Sequence, residues 1–216
     1  MGKEINGFKY IHYSELNPLD KSFYFTKVYS FLRMLVLEYP FFHQWYNKLF
    51  LLNNDLNNGR EIIICQYNGE IAGVAILKRD SEECKICTLR VAKKYQRNGI
   101  GKKLVEFSME WLENDKPFIT VHKTKQKDFA QLFTYYNFKL EQKTWGYYSI
   151  FSTELAYNGI LPKKSILLNK IEMVDIKKII LELMEFDCFD FNEVLNRCIE
   201  IWWQREKRLR YKLISE

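Results

Sequence analysis

The sequence predicts a mixed α/β domain on a mostly antiparallel sheet with flanking helices, followed by a C-terminal helical appendage. Three observations lead there. First, "EIIICQY" and "IAGVAILK" are β-type runs around an Asn68-Gly69 turn, and "CKICTLRV" follows after a polar connection. A meander of this kind over residues 61–91 is antiparallel, which excludes a doubly wound parallel sheet. Second, "LRVAKKYQRNGIGKKLVEF" (residues 89–107) passes from apolar alternation through a basic glycine turn into helical periodicity. Third, the composition changes after Thr153, where "LAYNGILPKKS" reads as a linker or loop and two amphipathic stretches follow.

The elements follow in order. "FKYIHYS" (8–14) has strand composition, and Asn17-Pro18 opens a helix predicted over 19–38 that Pro40 ends. "FFHQWYNKLFLL" (41–52) is a second, aromatic-rich helix, and "NNDLNNG" is a loop. After the meander, Ile100, Leu104, Val105, Ser108, Trp111 and Leu112 mark one face of a helix, which Asn114 and Pro117 stop. "FITV" (118–121) is a short strand. "KDFAQLFTYY" is a helix with Phe129, Leu132, Phe133 and Tyr136 at core spacing, and "NFKLEQK" and "YYSIFS" are the last strands. The expected division is therefore a sheet domain over 1–153 and a helical extension over 154–216. In the extension, Ile176, Ile179, Ile180, Leu183 and Met184 define one helix, and Phe191, Val194, Leu195, Cys198, Ile199 and Trp202 another. Two such helices cannot bury their apolar faces alone, so they pack on the sheet domain, a second copy or a partner.

Composition narrows the function classes. A hydrophobic fraction of 47% and an aromatic fraction of 16% in 216 residues support a packed core. A net charge of +6 suits a phosphorylated ligand and permits nucleic acid without requiring it. The opening "MGKEINGFKY" has no apolar core, so no secretion signal is expected, and "FLRMLVLEYPFF" is too short and too charged for a membrane span. Five cysteines, an odd number, read as reduced thiols of a cytoplasmic protein. Cys84 and Cys87 form a C-x-x-C, but there is no second pair and the three histidines are scattered. On a strand, residues three apart point to opposite faces, so the pair is expected to be structural and no metal is expected.

Gln96-Arg97-Asn98-Gly99-Ile100-Gly101 lies between a strand and a helix, with Lys93, Lys94, Lys102 and Lys103 around it. Glycines there permit positive φ, and a helix start offers unpartnered N–H groups and a favourable dipole, which together suit a pyrophosphate. By themselves the six residues equally suit a tight turn with solvated lysines. A Walker loop and a three-glycine dinucleotide fingerprint are both absent.

"LRVAKKYQRNGIGKKLVEFSMEWL" resembles motif A of the GNAT superfamily of acyl-CoA N-acyltransferases, in which a strand ending L-x-V leads to [Q/R]-x-x-G-x-[G/A] and a helix. Gln96, Gly99 and Gly101 fill the three defining positions. The Asn-Gly hairpin before it, "FITV" after it and "AQLFTYYNFKL" fall in the family's order, over residues 8–151. The resemblance implies a sheet with a splayed central strand pair and acetyl-CoA as cosubstrate. Backbone amides across Arg97, Asn98, Gly99, Ile100, Gly101 and Lys102 would hold the pyrophosphate, with Gln96 in the motif. Pantetheine would pair along the strand near Leu89 and Val91, where an amide would stabilise the oxyanion. Lys94 and Arg97 would meet the 3′-phosphate.

The implied activity is acetyl transfer to a primary amine of a small molecule, a protein lysine or an N-terminus, by direct attack in a ternary complex. The family's thiolate-protonating tyrosine falls on Phe133 and its glycine on Asn137. That leaves Tyr135, Tyr136 or water as the acid. His122, at the end of its strand, is the candidate base, with Glu82 and Glu83 behind it. Glu38, Tyr39, His43 and Trp45 fall where the family's acceptor groove forms. Two other readings stay open at this point: a non-catalytic acyl-CoA binder, and an acetyltransferase for charged tRNA, for which the basic tail "REKRLRYK" would supply RNA contact. A homodimer through the C-terminal helices is a further expectation.

Overall fold

A computed structural model describes residues 2–39, 41–145, 147–148 and 152–162. Strands β1 (Lys3–Ile5) and β2 (Phe8–His12) form a hairpin at Asn6-Gly7, where both residues have positive φ. The sequence reading missed β1, whose three residues are too few to show alternation.

Helix α1 (Pro18–Leu32) starts where predicted: the Asn17 side chain accepts from the Asp20 N–H at 2.9 Å, and Pro18 occupies the first turn. It tightens into a 3-10 turn over Arg33–Leu37, so the α-helix stops short of the predicted residue 38. Helix α2 (Phe42–Asn47) is also shorter than predicted, because the chain turns back at Lys48 and the Asn57 N–H donates to Leu49 O.

The meander follows as β3 (Arg60–Tyr67), β4 (Glu70–Arg79) and β5 (Cys84–Val91), antiparallel throughout. Helix α3 (Ile100–Leu112), strand β6 (Phe118–His122), helix α4 (Gln126–Tyr135) and strands β7 (Leu140–Trp145) and β8 (Thr153–Tyr157) complete the domain. The eight strands run in the order β1-β2-β3-β4-β5-β6-β8-β7, and only β5 and β6 are parallel.

Strand β8 corrects the sequence reading. "LAYNGILPKKS" reads as a linker or loop from the sequence, with residues from 154 onward outside the sheet. Instead Glu154, Leu155, Ala156 and Tyr157 are buried between β6 and β7. The turn residues Asn158 and Gly159 follow this strand and do not replace it. Of "YYSIFS", Tyr147 and Tyr148 lie outside any strand, while residues 149–151 and the two predicted C-terminal helices lie outside the described residues.

Each face of the sheet carries its own core. One packs Tyr10, Ile63, Leu77 and Val121 with Leu104 and Val105 of α3 and Phe133 of α4. The other packs Ile62, Ile64 and Ile76 with Val28, Leu32 and Tyr46. Every fully buried aliphatic side chain contributes about 1.5–3 kcal/mol, so the two faces together stiffen the sheet between them. Cys84 packs on the first face and Cys87 on the second, as residues three apart on a strand must. Both thiols are free.

Gly73 on β4 lets α3 lie against bare backbone: a Cβ there would come 3.0 Å from both Ile100 Cγ2 and Leu104 Cδ1. Gly73→Val is expected to destabilise the domain by about 1–3 kcal/mol through overpacking, read as a lowered melting temperature.

The join between β5 and β6 shapes everything that follows. Their parallel ladder consists of two pairs, Lys85 with Phe118 and Ile86 with Ile119, and then the strands part. At the same level β5 carries a bulge. Ile86 faces Leu77 of β4, Thr88 faces Ile76, and Cys87 between them has no partner. A bulge bends and twists its strand, which carries the rest of β5 away from β6. The extra residue also keeps Leu89 and Val91 on the same face as Ile86, despite the odd spacing.

Candidate active site

The glycine turn stands at the open end of this gap. β5 ends at Val91, a 3-10 turn spans Lys93–Tyr95, and Gly99 opens α3. Arg97 has φ 64° and Gly99 φ 77°, and left-handed residues of this kind make successive N–H groups converge on a concavity suited to an anion. The Arg97 conformation costs about 1–2 kcal/mol for a residue with a Cβ, strain of the sort found at functional sites. The Asn98 amide donates to Tyr95 O at 3.2 Å and Gln96 O at 3.3 Å, and Gln96 Nε2 donates to Val91 O at 3.4 Å, so side chains lock the turn.

Among the described residues no side chain caps α3, so its first-turn N–H groups and the positive end of its dipole are left for something else. A Cβ on Gly99 would meet no protein atom within 4 Å. Its φ favours glycine, packing does not demand it, and the space before it is open among the described residues. The turn therefore fits a diphosphate.

Of the other predicted contacts, Leu89 and Val91 send their side chains into the core on the α3 face, while their backbone lies on the edge of β5 that β6 has left. Ile100 is buried, so only its backbone is available. Lys94 is paired with Glu70, which Tyr95 also binds at 2.9 Å. Lys102 Nζ donates to the Tyr135 hydroxyl at 2.7 Å and lies 3.9 Å from the centre of its ring.

Tyr136 shares its hydroxyl between Lys102 O and Glu106 Oε1, each at 3.2 Å, and burial followed by the Glu106 charge pushes its pKa up. A phenol that holds its proton so firmly is a weak acid. Phe133, at the family's tyrosine position, is buried, with its ring centre 4.4 Å from that of Tyr157 and tilted 53° to it.

His122 closes β6. Its Nδ1 lies 2.7 Å from the Thr124 hydroxyl and accepts the Thr124 backbone N–H at 3.3 Å. Accepting that backbone donor assigns the proton of the neutral ring to Nε2. Glu38 and Tyr39 reach the mouth of the gap from the end of the first helical segment, whereas His43 and Trp45 do not. His43 bonds the Tyr29 hydroxyl at 3.0 Å, and Trp45 packs on Phe42 in the core.

Three residues at this mouth escaped the sequence reading. Lys85 of β5 donates to the Tyr148 hydroxyl at 3.4 Å, and the Tyr148 ring lies 5.4 Å from Tyr39. Burial works against the Lys85 charge, but Tyr148, Cys87 and Glu83 hold its pKa above the usual lysine value. Glu154 of β8 sits opposite both His122 of β6 and Thr144 of β7, fully buried. Its two carboxylate oxygens and the Thr144 hydroxyl are the buried side-chain oxygens without a hydrogen bond among the described residues.

Burial pushes the Glu154 carboxyl up to about 8, Glu38 adds to the rise, and Lys85 and the Tyr39 phenol only partly offset it. The other buried glutamate makes the contrast. Glu61 accepts the N–H groups of Ile62 at 2.8 Å and Ser14 at 3.2 Å and the Ser14 hydroxyl at 2.5 Å, with His12 at 3.4 Å, which is how a structural carboxylate is held. A signal for Glu154 was present in "TELAY": Leu155 and Tyr157 alternate with Glu154 and the small Ala156, a strand with one charged inward position.

Comparison with known proteins places this architecture. Residues 28–134 match the model of the acetyltransferase (GNAT) family. The chain thus carries a GNAT acetyltransferase domain. It is similar to a GNAT family acetyltransferase from Elizabethkingia anophelis solved with acetyl-CoA bound, at 17% identity and a TM-score of 0.47 over 71% of this chain and 97% of that one. It is also similar to the ribosomal-protein-S18-alanine N-acetyltransferase from Escherichia coli, at 19% identity and a TM-score of 0.40 over 50% of this chain and 75% of that one. A third similar structure is nourseothricin acetyltransferase, at 13% identity and a TM-score of 0.43 over 47% of this chain; the alignment spans 65% of that protein's length. No curated protein sequence matches the chain. Among the described residues no helix is long and apolar enough to cross a membrane, and no group of three histidine, cysteine or acidic residues is arranged to hold a metal.

Proposed function

We propose that the protein transfers an acetyl group from acetyl-CoA to a primary amine by direct attack in a ternary complex. The observation that carries this is the alignment of two features: an uncapped, glycine-opened α3 N-terminus, and a strand gap that begins at Ile86 and Ile119 and opens toward it. The amides from Arg97 to Lys102 hold the diphosphate, and Lys94 and Arg97 meet the 3′-phosphate, Lys94 by leaving Glu70. The free edge of β5 at Leu89 and Val91 takes the pantetheine amides in place of the missing strand. When bound, acetyl-CoA supplies the activated acyl carbon; a β5 amide past the bulge stabilises charge on its oxygen.

The acceptor enters on the α1 face, beside Glu38 and Tyr39. A cytoplasmic location agrees with the free thiols Cys65, Cys84 and Cys87. Pairing of two copies through the C-terminal helices belongs to this reading as well.

Calorimetry with coenzyme A and thiol release over a panel of primary amines test it. Binding plus amine-dependent thiol release is expected. Absence of coenzyme A binding would sink the whole reading, and binding without turnover would leave an acyl-CoA binder.

A further inference from the structure

Resting on that reading, we propose that Glu154 is the catalytic base, taking the proton from an acceptor that arrives as an ammonium ion. The geometry comes first. Glu154 faces the same side of the sheet as Lys85, Cys87 and His122, the side on which the acceptor enters. It closes a chain of polar groups across the mouth of the gap, from Lys85 through Tyr148 and Tyr39. It is wholly buried, and its oxygens lie beside the Tyr39 phenol but make no hydrogen bond of ordinary length among the described residues. A buried carboxylate left short of donors costs several kcal/mol, and such a cost persists at places where a ligand supplies the missing partner. A primary ammonium, with three N–H donors, is the partner whose charge and hydrogen-bonding capacity match.

The groups that face it fix its behaviour. Glu38, from the segment after α1, raises its pKa and itself lies 3.9 Å from Lys125 Nζ; Lys85 of β5 and Tyr39 lower it; His122 of β6 stands opposite in register. The net result, about 8, lies close to the working pH of a cytoplasmic enzyme, where a general base is most effective. His122 is less suited, since Nδ1 is engaged by Thr124 and the neutral ring then carries its proton on Nε2.

The chemistry balances without any further reactant. The ammonium gives one proton to the Glu154 carboxylate and becomes a neutral amine. Its nitrogen forms a bond to the acyl carbon as the carbon–sulfur bond breaks. A second nitrogen proton ends on the coenzyme A sulfur, and Glu154 returns the first to solvent. Because the sulfur receives its proton from the amine, Phe133 in place of a tyrosine is no obstacle.

The test uses the full chain, with coenzyme A for calorimetry and acetyl-CoA with spermidine, a lysine peptide and a peptide N-terminus for kinetics. For the wild type, kcat is expected to climb with pH and level off above about 8. Glu154→Gln is expected to bind coenzyme A within about twofold of wild type while kcat falls about 100-fold or more and the rising limb disappears. Glu154→Asp should keep a limb, displaced in pH, and it carries the test if the glutamine variant does not fold. Retention of more than a tenth of wild-type kcat by Glu154→Gln with the limb in place would overturn the assignment, as would loss of the limb in His122→Gln alone. Failure of the wild type to bind coenzyme A would count against the acetyltransferase reading instead, so the two failures are distinguishable.

Discussion

Gly99→Asp abolishes coenzyme A binding and leaves the domain folded. A Cβ at Gly99 meets no protein atom within 4 Å, so the substitution creates no internal clash. The residue stays at φ 77°, a conformation that aspartate tolerates at a cost of about 1 kcal/mol. The larger effect falls on the ligand. A carboxylate about 4 Å from a phosphate is repelled by roughly 4 kcal/mol in a partly screened environment, which is a loss on the order of 1000-fold in affinity. Gly99→Ala adds bulk without charge and should lose about tenfold. Calorimetry gives both affinities and thermal melting without ligand checks the fold. If the aspartate variant binds coenzyme A like the wild type, the diphosphate does not rest on this turn.

Glu154→Gln makes the protein more stable at pH 8 than the wild type. Burial pushes the folded carboxyl up to about 8, against 4.5 for the unfolded chain. Below 4.5 it is neutral in both states and costs nothing through its charge. Between 4.5 and 8 the unfolded chain has released a proton that the folded chain retains, so folding loses about 1.4 kcal/mol for each pH unit. Above 8 the full penalty, on the order of 5 kcal/mol, is present. Glutamine keeps the shape and removes the charge. Denaturant unfolding at pH 4 should find the two proteins similar, and at pH 8 the variant should be ahead by several kcal/mol. Equal stability at both values would mean that Glu154 is solvated in the native protein. A variant gaining stability as it loses turnover is the trade expected of a strained site.

Much of the fold was legible because it rests on local chemistry. The Asn68-Gly69 turn fixed the hairpin, Asn17-Pro18 fixed the start of α1, and Gly99 fixed that of α3. The diphosphate turn was legible for the same reason, since φ and helix polarity are written in a few adjacent residues. The mouth of the gap was not. Glu38 and Tyr39, Lys85, and the pair Tyr148 and Glu154 come from three distant segments and meet only through the sheet order, in which β8 slips between β6 and β7. Strand β8 itself was hidden because it is five residues long, carries a glutamate at a buried position and runs straight into the Asn158-Gly159 turn signal. The same residue that helped conceal the strand is one whose oxygens lack a hydrogen bond of ordinary length among the described residues.

The bulge at Cys87 also determines what joins the molecule across its middle. Strands β1–β5 form one hydrogen-bonded plate and β6–β8 another, and between them the ladder has two rungs, at Lys85–Phe118 and Ile86–Ile119. A cosubstrate lying along β5 would act as a clasp between the plates, lengthening their seam from within. Those amides of residues 87–91 that point away from β4 should then exchange with deuterium readily in the empty protein and slow sharply on loading, while those bonded to β4 and those of β3 hardly change.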